Sequence, residues 1–479
     1  MCKPLAPSHL VSGTAIYHVI VRMLPIQDLD STRPQPMNAW RRVRRFLPSF
    51  RWVALFIFAF GLGFIYAVVS YPQISGFIST GVLSLQQLWS KSATGNWFSD
   101  RFERYGVLRY DAARTQPGYT LYTLAPDLSA HLVDMNGREV HRWFLPEEEV
   151  MPGAKRQART FFGLLEPQVE GGYLFSNGDL LLVYEIKALG NPAAPLVKLD
   201  KDSRIIWRSA IKAHHAIQVV GDKIYALTGT FNRPSATPDI PSLGRMPYIG
   251  ERVSILDPEG KVLSSHSILE AIANTKNMRL ADEVPFNPRA DALHSNSLDV
   301  LNEQTARFIP GAKPGNVLLS FRNLNMLAVM DLDSDTIVWA LRGSWRGQHD
   351  AKVLPNGHIL LFDNQGGLMK HGRSRVLEIA PDTGGIVWSF DGTDKDPLDS
   401  EIRGGAQRLA NGNTLISEST AGRILEVTPD GSVVWEYANP LRTVENGHKL
   451  IASLGLTVSR YDSSYISFLG DQQNYEPTR

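Results

Sequence analysis

The sequence predicts an all-β fold, a six-bladed β-propeller preceded by an N-terminal transmembrane helix. Three observations carry that expectation. Short apolar runs joined by Asn-Gly or Asp-containing turns recur along most of the chain. A supersecondary unit repeated this way marks an array whose members bury their faces against their neighbours. Six of the repeats share one form, a strand, an Asp or polar turn, and a second strand usually ending in Trp. Near the N-terminus an uncharged apolar run follows a cluster of arginines.

In chain order, residues 1–36 are rich in Pro and polar residues and show no period, so they are expected to be disordered. Residues 37–72 read as a basic flank and a membrane anchor, and either Met1 or Met37 serves as the start. Trp52 to Tyr71 is long enough to span a bilayer as a helix. Arg41, Arg42, Arg44, Arg45 and Arg51 precede it, which puts the N-terminus in the cytoplasm and the bulk of the chain outside. The expected location is the inner (cytoplasmic) membrane, single-pass, with the main domain periplasmic or otherwise extracytoplasmic. The run is long for a signal peptide and no clean cleavage site follows, so an uncleaved anchor is expected. Residues 73–117 read as a linker. Within it, Ile74 to Trp89 fits either an amphipathic helix on the membrane surface or plain connecting chain.

The propeller is expected over 118–479. The Asp-turn hairpins are HLVDMNGREVHRW (131–143), VKLDKDSRIIWRS (197–209), SILDPEGKVLSSH (254–266), AVMDLDSDTIVWAL (328–341), LEIAPDTGGIVWSF (377–390) and LEVTPDGSVVWEY (425–437). Between them lie turn-centred hairpins, GGYLFSNGDLLLVYE (171–185), HAIQVVGDKIYALTG (215–229), HDAKVLPNGHILLFDN (349–364) and GGAQRLANGNTLISES (404–419), with a looser one opening at His294. Asn and Gly tolerate the positive φ of tight hairpin turns, and Asp bonds its own backbone there. Two hairpins make a four-stranded blade, and six outer hairpins imply six blades. The tryptophans Trp143, Trp207, Trp339, Trp388 and Trp435 read as blade-to-blade packing residues. Residues 231–250 and 275–289 read as insertions, either cleft walls or surface loops.

Composition excludes several classes. The net charge of +1 gives no reason to expect nucleic-acid binding. The single cysteine, Cys2, rules out an intramolecular disulfide and a multi-thiolate zinc site. No cofactor is expected.

In a propeller the first strand of each blade lines the central channel, and its first residue lies at a channel mouth. His349 occupies that position in its hairpin and His294 in DALHSNSLDV. In AHHAI either His214 or His215 qualifies. His215 is preferred, because that register sets Gln218 on Lys352 and Val219 on Val353 and keeps the strand's faces. The matching position of the next hairpin is Gly404, so the constellation is not ring-symmetric. Arg322, in SFRNLNMLAVMDL, follows the strand that His294 opens. Three histidines suit a metal, but no carboxylate or thiolate joins them at short spacing, and an arginine repels a cation. Histidines with an arginine instead suit an anionic substrate bearing sulfate or phosphate oxygens. Imidazole can then act as nucleophile or general acid/base.

GQHDAKVLPNGHILLFDN, SFRNLNMLAVMDL, DALHSNSLDV and AHHAI, in that family's order along the chain, resemble signatures of the bacterial arylsulfate sulfotransferases, the type that works without a nucleotide sulfate donor. YTLAPDLSAHLVDMNGREVHRW resembles that family's first blade. The resemblance covers roughly residues 118–445. It implies transfer of a sulfuryl group from an aryl sulfate ester to a phenol through a sulfohistidine. His349 matches the nucleophile, while His215, His294 and Arg322 match the residues that hold the sulfate oxygens and trade protons. The chain departs from the pattern in lacking a cysteine pair near the nucleophile, in carrying Ala216 where an Asp is usual, and in its membrane anchor. A competing expectation is a non-catalytic scaffold, since stretches such as APDTGGIVWSF also resemble quinoprotein-like propellers. The calcium-binding carboxylates of a quinone enzyme are not found, and a scaffold has no need of histidines at matching channel positions.

Overall fold

The computed structural model describes residues 96–150, 159–160, 163–164, 167–186, 195–232, 239–243, 248–285, 291–365 and 373–470. The chain divides into two units, Met1–Ser70 and Tyr71–Arg479, and every described residue belongs to the second. The expected anchor Trp52 to Tyr71 and the stretch Ile74 to Trp89 lie outside the described residues. Among the described residues no helix is long and apolar enough to cross a membrane.

The fold is all-β. Its described residues form six antiparallel sheets of four or five strands, with one small three-stranded and one two-stranded sheet beside them. Four of the six run in sequence order from the innermost strand outward, and a fifth does so over its first four strands, with an earlier strand added outside them. The sixth is completed by the C-terminus: Leu454–Tyr461 pairs with Tyr119–Leu124, in front of Ser129–Val133 and Glu139–Phe144. The six innermost strands are β1 (Pro167–Leu174), β2 (Ala213–Val220), β3 (Ser295–Val300), β4 (His349–Val353), β5 (Gly405–Arg408) and β6 (Leu454–Tyr461). Each touches the next, and β6 touches β1, so they form a closed cycle.

Side chains stitch that cycle. An innermost strand has one edge with no ladder partner, and its amides need acceptors. Gln218 Oε1 accepts from Val300 N at 2.6 Å, Asp299 Oδ2 from Val353 N at 2.8 Å, and Asp350 Oδ2 from Ala406 N at 2.9 Å. Gln407 Oε1 accepts from Arg460 N at 2.7 Å, and Thr457 Oγ1 from Gly172 N at 2.7 Å. Burial holds Asp299 up at about 6, against the bond from Val353. At the remaining junction, β1 to β2, the backbones themselves close in. A Cβ on Gly171 would stand 2.4 Å from the His215 carbonyl oxygen, so only glycine fits there.

The core is not one mass but six apolar clusters, each between two adjacent sheets. Leu121, Leu132 and Trp143 pack on Val169, Leu182 and Leu199, and the pattern repeats around to Ile424, Trp435 and Tyr437 against Tyr122 and Leu454. The outer-strand tryptophans fasten the sheets as expected. Trp143 Nε1 donates to Gly178 O, Trp207 to Pro258 O, Trp388 to Pro429 O and Trp435 to Met135 O, each on the adjoining sheet at 2.9–3.0 Å.

The turns differ in one respect from expectation. Gly178, Gly357 and Gly412 take φ of +89°, but the asparagines before them do not take positive φ. Each asparagine instead accepts from the amide two residues on, Asn177 from Asp179, Asn356 from His358 and Asn411 from Asn413. The longer turn, closed by bonds such as Gly357 N to Leu354 O at 2.8 Å, needs left-handed backbone only at its glycine. The Asp turns follow expectation: Asp134 Oδ1 accepts from Asn136 N and Arg138 N, and Asp200 Oδ1 from Asp202 N and Arg204 N. The connector before the first repeat also carries strands. Trp97–Ser99 pairs with His448–Ala452, and Gly106–Tyr110 adds a fifth strand outside Val433–Ala438.

Candidate functional site

The inner strands do not begin regularly. β1, β2, β3 and β4 each carry a register shift close to their first residues. His215, His294, Asp350 and Arg403 adopt φ of +54°, +54°, +53° and +59°. Non-glycine residues are uncommon in this region, and a cluster of them at one end of a cycle of strands marks a place where backbone strain is held by its surroundings. Such irregularities interrupt the ladder and re-aim the side chains beside them.

The four residues expected from sequence are brought together there. The His215 and His294 rings meet edge to face with centroids 5.0 Å apart. Arg322 opens a 3₁₀ turn and donates its amide to the His294 carbonyl at 3.2 Å. His349 is 3 % exposed, and its Nδ1 lies 2.7 Å from Asn364 Oδ1. Burial first, then the Arg322 guanidinium and His294, push the His349 ring down to about 3. Burial, then His294, His214 and His349, hold His215 well below the usual imidazole value.

His214 and His215 are both at the site, so the choice between them resolves into two roles. Their Nδ1 atoms lie 3.0 Å apart, and only one can carry the shared proton. His214 is buried behind His215, with Nε2 4.0 Å from Glu251 Oε1, and burial lowers it to about 4. The preferred register holds along β2, where Gln218 and Val219 pair with Tyr225 and Ile224 as Lys352 and Val353 pair with Leu360 and Ile359.

One expectation is corrected. A carboxylate does join the histidines, because Asp291 bonds His294 Nδ1 from three residues upstream. Burial opposes charge on both groups. The pairing outweighs it, raising His294 above its ordinary value and lowering Asp291. His294 is therefore the imidazole of the cluster biased toward the charged form. Behind it Glu251 accepts from Ser295 N at 2.9 Å and Ser295 Oγ at 2.8 Å, and burial with the nearby Asp291 charge pushes it up to about 8.

Sequence reasoning also missed Arg403 and Glu170. Arg403 and Gly404 both take positive φ, +59° and +90°, just before the fifth inner strand. Its guanidinium is committed: it pairs with Glu170 at 2.9 Å and donates to Ser453 Oγ at 3.1 Å and Asn96 Oδ1 at 3.2 Å. Four other described histidines are engaged elsewhere, His131 with Glu139, His141 with the Lys201 carbonyl, His266 with Asp335 and His358 with Glu378. Among the described residues no group of three or more His, Cys, Asp or Glu side chains is arranged to hold a metal ion.

Fold and site together define an all-β protein with a buried imidazole and guanidinium cluster at the centre of a cycle of sheets. The family model described as arylsulfotransferase (ASST) matches residues 174–440, more than half of the 479 residues, and the chain belongs to that family. The match spans His215, His294, Arg322 and His349, and it supports an arylsulfotransferase-like enzyme acting on small aryl substrates. No curated protein matches the chain. Solved structures similar to it include a protein of unknown function from Bacteroides caccae, at 13 % identity over 68 % of this chain and 94 % of that one, TM-score 0.40. A streptogramin B lyase is similar at 13 % identity, 77 % and 98 % coverage and TM-score 0.37. The WD40 β-propeller domain of Doa1 is similar at 10 % identity, 74 % and 94 % coverage and TM-score 0.36.

Proposed function

We propose that the protein is a six-bladed propeller enzyme that moves a sulfuryl group from an aryl sulfate ester to a phenol through a sulfohistidine on His349, without a nucleotide sulfate donor. The six sheets with their cyclic inner strands support the blade count. The observation that carries the chemistry is a buried imidazole held neutral beside a permanent cation, His349 beside Arg322. A neutral ring has a lone pair to give, and Arg322 stays charged throughout to hold sulfate oxygens.

In the first half-reaction a ring nitrogen of His349 attacks sulfur. The N–S bond forms as the S–O bond to the aryl group breaks, and the phenolate leaves with the electron pair. His294, biased toward imidazolium by Asp291, supplies the proton that makes it a phenol. The second half-reaction reverses these steps with a new phenol, whose proton returns to His294 as its oxygen attacks sulfur. His215, kept neutral, adds a hydrogen-bonding ring without adding charge. Charge spread over the sulfuryl oxygens is stabilised by groups already in place.

The proposed location is outside the cytoplasm, tethered by Trp52 to Tyr71. A C-terminal reporter that works only in the cytoplasm would overturn that placement. The chemistry is tested by supplying a chromogenic aryl sulfate without acceptor and seeking a sulfo adduct by mass spectrometry under non-acidic conditions. The adduct is expected on His349 and absent from His349→Ala, which should lose both half-reactions. Full turnover by His349→Ala ends the proposal, and an adduct on His215 or His294 reassigns the roles.

A further inference from the structure

The buried amide of Asn364 is held at three points. Its Nδ2 donates to the Ser400 carbonyl at 2.8 Å and to the Arg403 carbonyl at 2.6 Å. Its Oδ1 faces His349 Nδ1 at 2.7 Å. Two carbonyls can be met only by an NH₂ group, so the amide has one workable orientation; the reverse would set its oxygen against both of them. An amide oxygen carries no proton, so the His349 nitrogen facing it must.

We infer that Asn364 is a positioning residue that locks His349 in its Nδ1–H tautomer and thereby makes Nε2 the atom that accepts the sulfuryl group, an inference that rests on His349 being the acceptor. The partner of one ring nitrogen decides the protonation of the other. The lock is braced from the next sheet. Left-handed φ at Arg403 sets the direction of its carbonyl, and its guanidinium is pinned by Glu170, Ser453 and Asn96. Ser400 is pinned in turn, its amide donating to Ser374 Oγ at 2.9 Å while its carbonyl accepts from the same hydroxyl at 3.1 Å.

The proton balance follows. The Nε2 lone pair forms the bond to sulfur while Nδ1 keeps its proton, so the sulfated ring is an imidazolium whose Nδ1–H still donates to Asn364 Oδ1. When the acceptor oxygen takes the sulfuryl group, the electron pair returns to Nε2 and the ring is again neutral. His349 neither gains nor loses a proton in either half-reaction and needs no base of its own. The protons that move are those of the two phenols.

The first test uses the wild-type protein. Long-range ¹H–¹⁵N correlation on histidine-labelled enzyme, with His349 assigned by comparison with His349→Gln, should show protonated Nδ1 and bare Nε2. After donor is added without acceptor, the same spectrum should show sulfur on Nε2. The second test is Asn364→Leu, expected to lower kcat about 10²-fold through a misdirected ring while KM changes less than about twofold. An Nε2–H tautomer or a sulfo group on Nδ1 of His349 in wild type overturns the inference and leaves His349 as acceptor. So does a folded Asn364→Leu with wild-type kcat. Turnover without His349 removes the underlying reading instead. If Asn364→Leu does not fold, the wild-type spectra decide alone.

Discussion

The low basicity of His349 has a consequence for how the enzyme responds to acid. The ordinary imidazole value is 6.5 and burial with Arg322 brings this ring to about 3. That displacement corresponds to about 5 kcal/mol in favour of the neutral form. At pH 5 an ordinary imidazole is about 3 % neutral, whereas a ring titrating near 3 is about 99 % neutral. The rate of adduct formation should therefore change less than about twofold between pH 7 and pH 5, where an unperturbed nucleophile would lose about 25-fold. The Asp291–His294 pair acts in the same direction, since acid keeps His294 charged and able to protonate the leaving phenolate. On the alkaline side activity should fall as His294 loses its proton, above the ordinary imidazole value. The assay is a single-turnover burst of phenol from a chromogenic aryl sulfate, quenched into base so that every sample is read as phenolate. An acid limb with its midpoint near 6.5 would refute the argument, because His349 would then be titrating as though exposed.

Two further outcomes are expected. Gly171→Ala places a Cβ 2.4 Å from the His215 carbonyl oxygen, so backbone must move; thermal or urea unfolding should show a loss of about 1–3 kcal/mol, with activity reduced as His215 shifts. An unchanged stability would mean that β1 and β2 do not approach as closely as described. Glu170→Gln leaves the buried Arg403 guanidinium with neutral hydrogen-bond partners and only the more remote Glu185 charge, which should cost about 3–5 kcal/mol in urea unfolding; a loss under 1 kcal/mol would show that Ser453, Asn96 and Glu185 suffice.

Much of the architecture was legible because its causes are local. An Asp that bonds the amides of its own turn, or a Trp closing the strand after it, leaves a mark within a dozen residues. The histidines were legible for a related reason, since each lies near the start of a recognisable hairpin. What escaped was what pairs across the chain. Arg403 meets Glu170 from 233 positions away, and no spacing rule connects them. Asp291 is the instructive miss, since it stands three residues before His294. In a straight strand that spacing would put the two side chains on opposite faces; here the chain bends at residues 292–293 before the strand opens at Ser295, His294 takes left-handed φ, and the two meet. The longer hairpin turn was hidden for a different reason: Asn-Gly is compatible with more than one loop length, and the choice lies in hydrogen bonds that composition does not specify.

The sheet that begins the cycle is finished by the last described strand, Leu454–Tyr461. Arg460 of β6 reaches Thr120 across 340 residues of sequence. At a synthesis rate of roughly 5–20 residues per second, Tyr119–Leu124 leaves the ribosome roughly 20–70 s before its partner exists. Throughout that interval a strand with an open, largely apolar edge is exposed to any other strand nearby. Translation, rather than the intrinsic speed of strand pairing, then sets the earliest moment at which the ring can close. A message cut short between Ala438 and Leu454 yields a chain with five of the six sheets encoded and no means of joining the last to the first, and such fragments should be aggregation-prone and short-lived in the cell.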